Sequence, residues 1–131
     1  MSDTMLYVRE SQEPIDAVCK KLESAVAVNK MGVLGVHNLA EKMKEKGVPF
    51  DRECRIYEIC NPQQAKKVLE GEMAISTALP CRISVYQEGA MVKAATLKPT
   101  ALMQMFGDSG LQPVAEEVES AIVRIIDAAC Q

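Results

Sequence analysis

A chain of 131 residues, 48% hydrophobic and 25% charged, has the length and composition of one globular domain, expected here over residues 1–131 and able to bury roughly 68% of the surface its unfolded chain exposes. Fifteen basic against eighteen acidic residues give a net charge of −3, and two Phe, three Tyr and no Trp leave few rings for stacking bases, so nucleic acid is not an expected partner. No apolar run reaches the roughly 18 residues a membrane span needs, and the opening MSDTMLYVRE has no basic region followed by an apolar stretch, which sets the expected location in the cytoplasm, away from any membrane.

MLYVRE alternates weakly and predicts an opening strand. Pro14 suits the first turn of the next helix, where its missing N–H would have no partner anyway. Ile15, Val18, Leu22 and Val26 then recur at helical spacing, with Lys20, Lys21 and Glu23 turned to solvent. Gly32 and VLGV mark a second strand. Asn38 and Glu41 stand three apart as a capping box, Gly47 closes a short helix and Pro49 prevents its continuation. A third strand, ECRIYEI at 53–59, alternates Cys54, Ile56 and Glu58 with Arg55, Tyr57 and Ile59, and the pattern leaves open which face is buried.

Asn61 is placed to cap the next helix, Pro62 to take its first position and Gln64 to reach back to the cap, with Ala65, Val68 and Leu69 as its apolar stripe. GEMAISTALP, residues 71–80, is a ten-residue connection with apolar Met73, Ile75 and Leu79, long enough to fold over something. Cys81, Ile83 and Val85 alternate with Arg82, Ser84 and Tyr86 in a fourth strand whose first three are expected to be buried together. A turn at Glu88 and Gly89 returns AMVKAATLK as its antiparallel partner, ended by Pro99. TALMQMF reads as a short helical segment, GDSG at 107–110 as a loop, and 113–129 as a long helix with Val118, Ile122, Ile125 and Ile126 inward.

KGV at 46–48, CNP at 60–62 followed by Ala65 and Leu69, LPC at 79–81 opening a strand that ends in Val85 and Tyr86, and Pro99 after the last strand resemble, in order and spacing, the domain-of-unknown-function family 302 over residues 5–129. The resemblance implies an α+β fold of type β-α-β4-α, a curved antiparallel sheet of about five strands packed against helices and similar to the TATA-binding-protein architecture. It also implies a homodimer. No activity comes with it. His37, Cys19, Cys54 and Cys130 lie outside the family pattern.

Five cysteines make an odd number without framework spacing and are expected as thiols. Cys60, just before a helix N-terminus, sits where the dipole and unpaired N–H groups favour a thiolate; Glu58 would oppose ionisation, and Arg55 or Arg82 would favour it if either folds over the site. Packing as a small hydrophobe is the commoner role for such a residue, for Cys81 above all. The opening formed by the helix after Pro62 and the return from Gly71 is expected to bring Cys60 and Cys81 near one another.

A structural zinc site needs four Cys or His ligands with a close pair, whereas here the cysteines are widely spaced and His37 is the sole histidine. A three-ligand site of His37, Cys60 and Cys81 therefore ranks below a hydrogen-bonded structural His37, and no metal is expected. Nothing in the sequence brings His37 to Ser84 or Ser109 in a catalytic constellation, and the phosphate-cradling patterns G-x-x-x-x-G-K-[ST] and G-x-G-x-x-G are absent, so no cofactor is expected either. Eight methionines suggest deformable apolar packing around Met73, Met91, Met103 and Met105.

These readings point to a non-enzymatic homodimeric domain that binds a small, largely apolar or thiol-reactive ligand between sheet and helices. Residues 71–80 would cover the site, and Cys60, Cys81, Glu58, Asn61, His37 and Arg82 form the candidate ligand-binding set. The alternatives are a thiol-based redox or sulfur-transfer protein using Cys60, and a structural or partner-binding dimer.

Overall fold

The computed structural model describes residues 5–107 and 110–131. Five strands, β1 (Leu6–Ser11), β2 (Gly32–Asn38), β3 (Cys54–Cys60), β4 (Cys81–Glu88) and β5 (Met91–Leu97), form one antiparallel sheet in the order β1-β5-β4-β3-β2. The helices are α1 (Ile15–Val28), α2 (Leu39–Glu45), α3 (Pro62–Gly71), α4 (Pro99–Gln104) and α5 (Gln112–Ala129), with a 3₁₀ segment at Met73–Ala78. The fold is α+β, as the element order implied.

Burial settles the face that the third strand's alternation left open. Tyr57 and Ile59 are shut away with Ile83, Val85, Val92 and Ala94 against the apolar stripes of α1 (Val18, Leu22, Val26) and α5 (Ile122, Ile125, Ile126). Fully burying aliphatic side chains of this size is worth roughly 1.5–3 kcal/mol each, which makes this two-layer core the main source of stability. Cys81 packs against the same core while staying half-buried, so the predicted register of β4 holds. The opposite face of the sheet is partly open, and Val8 and Leu97 are exposed there.

A second, smaller apolar cluster forms beyond one end of the sheet from Val68, Ile75, Met103 and Ala115, flanked by Leu69, Leu79, Phe106 and Leu111. It joins α3, the 3₁₀ segment and α4 to the first turns of α5. Gly71 makes the closure feasible, because a Cβ there would stand 3.1 Å from both terminal carbons of Leu111.

Several local expectations need correction. Pro14 stands at the N-cap of α1 rather than inside its first turn, with extended backbone angles. Residues 71–80 are not a plain connection: the end of α3 and the 3₁₀ segment occupy most of it, Glu72 accepting a hydrogen bond from the Ala74 N–H. Met73 and Met105 are 67% and 73% exposed, because each lies on the outward side of its short turn, and only Met103 of the four singled-out methionines is buried. The loop expected at 107–110 includes positions 108 and 109, which lie outside the described residues.

Candidate functional site

The two apolar clusters do not merge completely. Where they meet, at the ends of β3 and β4, they leave a cavity of about 60 Å³. Ile59, Cys60 and Cys81 line it from the sheet, Ala65 and Val68 from α3, Ile75 from the 3₁₀ segment and Met103 from α4. Short side chains account for the gap, since Ala65, Ala78 and Ala115 all face it. The lining is almost wholly apolar, Asn61 and Gln64 being its polar members.

Each wall is held by a specific local device. Asn61 caps α3, its Oδ1 accepting from the backbone N–H groups of Gln63 at 3.1 Å and Gln64 at 3.2 Å, with Pro62 in the first turn. The predicted cap is present, but the reciprocal bond from Gln64 is not, and Gln64 Oε1 is buried without a partner beside the cavity. Glu119 of α5 fixes the start of α4, its Oε1 accepting from the Thr100 N–H at 3.1 Å and the Thr100 hydroxyl at 2.6 Å.

The six candidate residues separate into two groups. Cys60, Asn61 and Cys81 line the cavity together. Glu58, His37 and Arg82 meet elsewhere, on three adjacent strands: Glu58 Oε1 lies 3.0 Å from His37 Nε2, and its Oε2 lies 3.6 Å from Arg82 Nη2. Gly35 leaves room for this cluster, since a Cβ there would approach Glu58 Oε1 to 3.3 Å. His37 is thus engaged by a carboxylate, and among the described residues no group of three or more His, Cys, Asp and Glu side chains could hold a metal ion.

All five cysteines are free thiols. Burial, reinforced by the neighbouring Cys60 and only partly offset by Arg82, pushes the Cys81 thiol from its ordinary 9.0 up to about 11. Burial also raises the Cys60 thiol, so of the opposing influences that the sequence left open the balance favours the protonated form. The N–H groups of Gln63 and Gln64 at the helix start donate to Asn61 Oδ1.

The sequence pattern matching "Domain of unknown function DUF302" extends over residues 7–129. The chain belongs to the DUF302 family. A solved DUF302 structure, "Crystal structure of uncharacterized conserved protein DUF302 from Bacillus stearothermophilus", is 31% identical and matches with a TM-score of 0.91, covering 97% of this chain and 98% of that one. No curated protein matches the chain. Among the described residues of this DUF302 chain, no helix is long and apolar enough to cross a membrane.

Sequence reasoning missed Met31 and Ala115 as cavity residues, whereas Ile75 belongs to the expected cover and Met103 to the methionines expected in deformable packing. The α3 stripe of Ala65 and Val68 was the available signal, because an apolar stripe beginning four residues after the Asn61 cap must face whatever the strand ends present. For α4 and α5 the signal was limited to Met103 and to the inward stripe containing Val118.

Proposed function

We propose that this DUF302 protein is a non-catalytic homodimer that binds a small apolar molecule in the cavity between the sheet end and α3, α4 and α5. The observation that carries the reading is the cavity itself, an apolar space of about 60 Å³ closed over by a 3₁₀ segment that anchors itself through the single fully buried Ile75. A segment held by so few buried side chains opens at lower cost than the main core does. Cys60 and Cys81 serve as soft, polarisable lining, and the raised Cys81 thiol weighs against a nucleophilic role there.

The dimer forms through the β2 edge. Its sequence GVLGVHN contains no Asp, Glu, Lys or Arg, and Val33, Leu34 and Val36 are 40%, 64% and 47% exposed along it. The other edge, β1, carries Arg9 and Glu10, which discourage strand addition. An uncharged strand meets a second copy of itself without like-charge repulsion.

Native mass spectrometry of the protein purified from its own source tests both halves of the reading. The expected spectrum is a dimer carrying a retained small molecule that is lost on activation. A bare monomer would overturn the dimer, and a ligand-free protein that also fails to take up hexan-1-ol would overturn the cavity reading.

A further inference from the structure

A second, polar hollow of about 130 Å³ adjoins the apolar cavity and shares Met31, Asn61, Gln64 and Val118 with it. Its charged members are Lys30, Arg124 and Glu117, two cations against one carboxylate. Arg124 Nε donates to Asn29 Oδ1 at 2.9 Å, which orients the guanidinium, and among the described residues neither Lys30 nor Arg124 has an acidic group within salt-bridge distance. Gln64, with its unpaired buried oxygen, stands at the junction of the two spaces, where a half-turn of its amide presents a donor.

The backbone supplies an independent observation. Lys30 has φ +61°, the one non-glycine residue in the left-handed region among the described residues. It follows the end of α1, where its N–H donates to the Ala27 carbonyl at 3.1 Å and the Met31 N–H to the Val26 carbonyl at 3.0 Å. Helices commonly end in this way with glycine, which adopts the conformation without steric cost. Lysine there is strained, and strain of this kind gathers at ligand sites.

We propose that the cavity's ligand carries an anionic head group held by Lys30 and Arg124, so that its class is a short-chain amphiphilic acid. The inference rests on the cavity-binding reading above. The apolar tail occupies the space between the strand ends and α3, and the head group emerges past Gln64 into the polar hollow, where the guanidinium offers paired donors to a planar acid.

Three probes with the same tail, hexanoate, hexan-1-ol and hexylamine, test it by NMR titration of the full chain. Hexanoate is expected to bind at least tenfold more tightly than hexan-1-ol, and hexylamine more weakly than either. Lys30→Gly and Arg124→Gln should each reduce that preference several-fold, weakening hexanoate far more than hexan-1-ol. Because glycine relieves the backbone at position 30, Lys30→Gly should also raise the denaturation midpoint, which separates lost head-group binding from lost folding. Hexanoate binding no tighter than hexan-1-ol, or a preference that survives the double substitution, would overturn the head-group inference and leave the cavity reading standing. Failure of all three probes to bind would overturn both.

Discussion

Ile59 and Cys81 lie directly opposite one another across β3 and β4, so Cys60, the next residue, brings a second thiol to the same end of the sheet. The pair lines one cavity from two neighbouring strands while both thiols remain free. Their proximity is a consequence of register, and it needs no disulfide to maintain it.

The raised Cys81 thiol gives a pH dependence of known sign. Its folded value of about 11 exceeds the ordinary 9.0, so the folded chain keeps a proton that the unfolded chain releases. Stability from this group is complete below about pH 9 and is lost as pH rises to about 11, with a slope of at most about 1.4 kcal/mol per pH unit. Urea titrations of the protein and of Cys81→Ala should diverge over that interval alone. Peptide-resolved alkylation should show Cys81 reacting only at strongly alkaline pH, and half-maximal reaction below pH about 8.5 would contradict its burial.

Ile83 is fully buried in the middle of β4. Ile83→Ala removes side-chain volume from the two-layer core and should cost roughly 2–5 kcal/mol, read from the shift in chemical denaturation midpoint at constant slope. A loss below about 0.5 kcal/mol would place Ile83 on the wrong face.

Asn61 satisfies two backbone donors at the start of α3, whereas Asn38 satisfies one, the Glu41 N–H, at the start of α2. Asn61→Ala should therefore lose about 1 kcal/mol or slightly more, and Asn38→Ala no more than that. Equal midpoints for the protein and Asn61→Ala would count against the cap.

Filling the cavity separates its role in binding from its role in folding. Ala65 faces the space between α3 and the strand ends, and Ala65→Leu should hold stability or raise it by up to about 2 kcal/mol. The same change should abolish uptake of hexan-1-ol. Unaltered uptake would show that the guest sits elsewhere.

What could be read from the sequence is what depends on near neighbours. The Asn61 cap with Pro62 behind it, the β4–β5 return at Gly89 and the helical stripe of Val18, Leu22 and Val26 are each decided within one turn or one hairpin. The site was only half legible. Cys60 and Cys81 are joined by one strand pairing, but His37 and Glu58 meet through a β2–β3 register that shifts between Val33 and Gly35, and no local pattern announces such a shift. Lys30 and Arg124 are more remote still, coming together only when α1 and α5 pack side by side.

The strand order carries a consequence for how the chain is made. β1 is synthesised before the other four strands of the sheet, yet among the described residues its only neighbour in the sheet is β5, with Leu6 opposite Leu97. At roughly 5–20 residues per second, the first strand leaves the ribosome several seconds before the strand it must pair with. During that interval β2, β3 and β4 can already associate, so the nascent chain passes through a stage in which three strands are zipped and the amino-terminal one is still waiting. Chains arrested just before β5 should accordingly be cut by protease within β1, and chains released after α5 should resist cleavage there; early protection of β1 would mean that another partner holds it in the meantime.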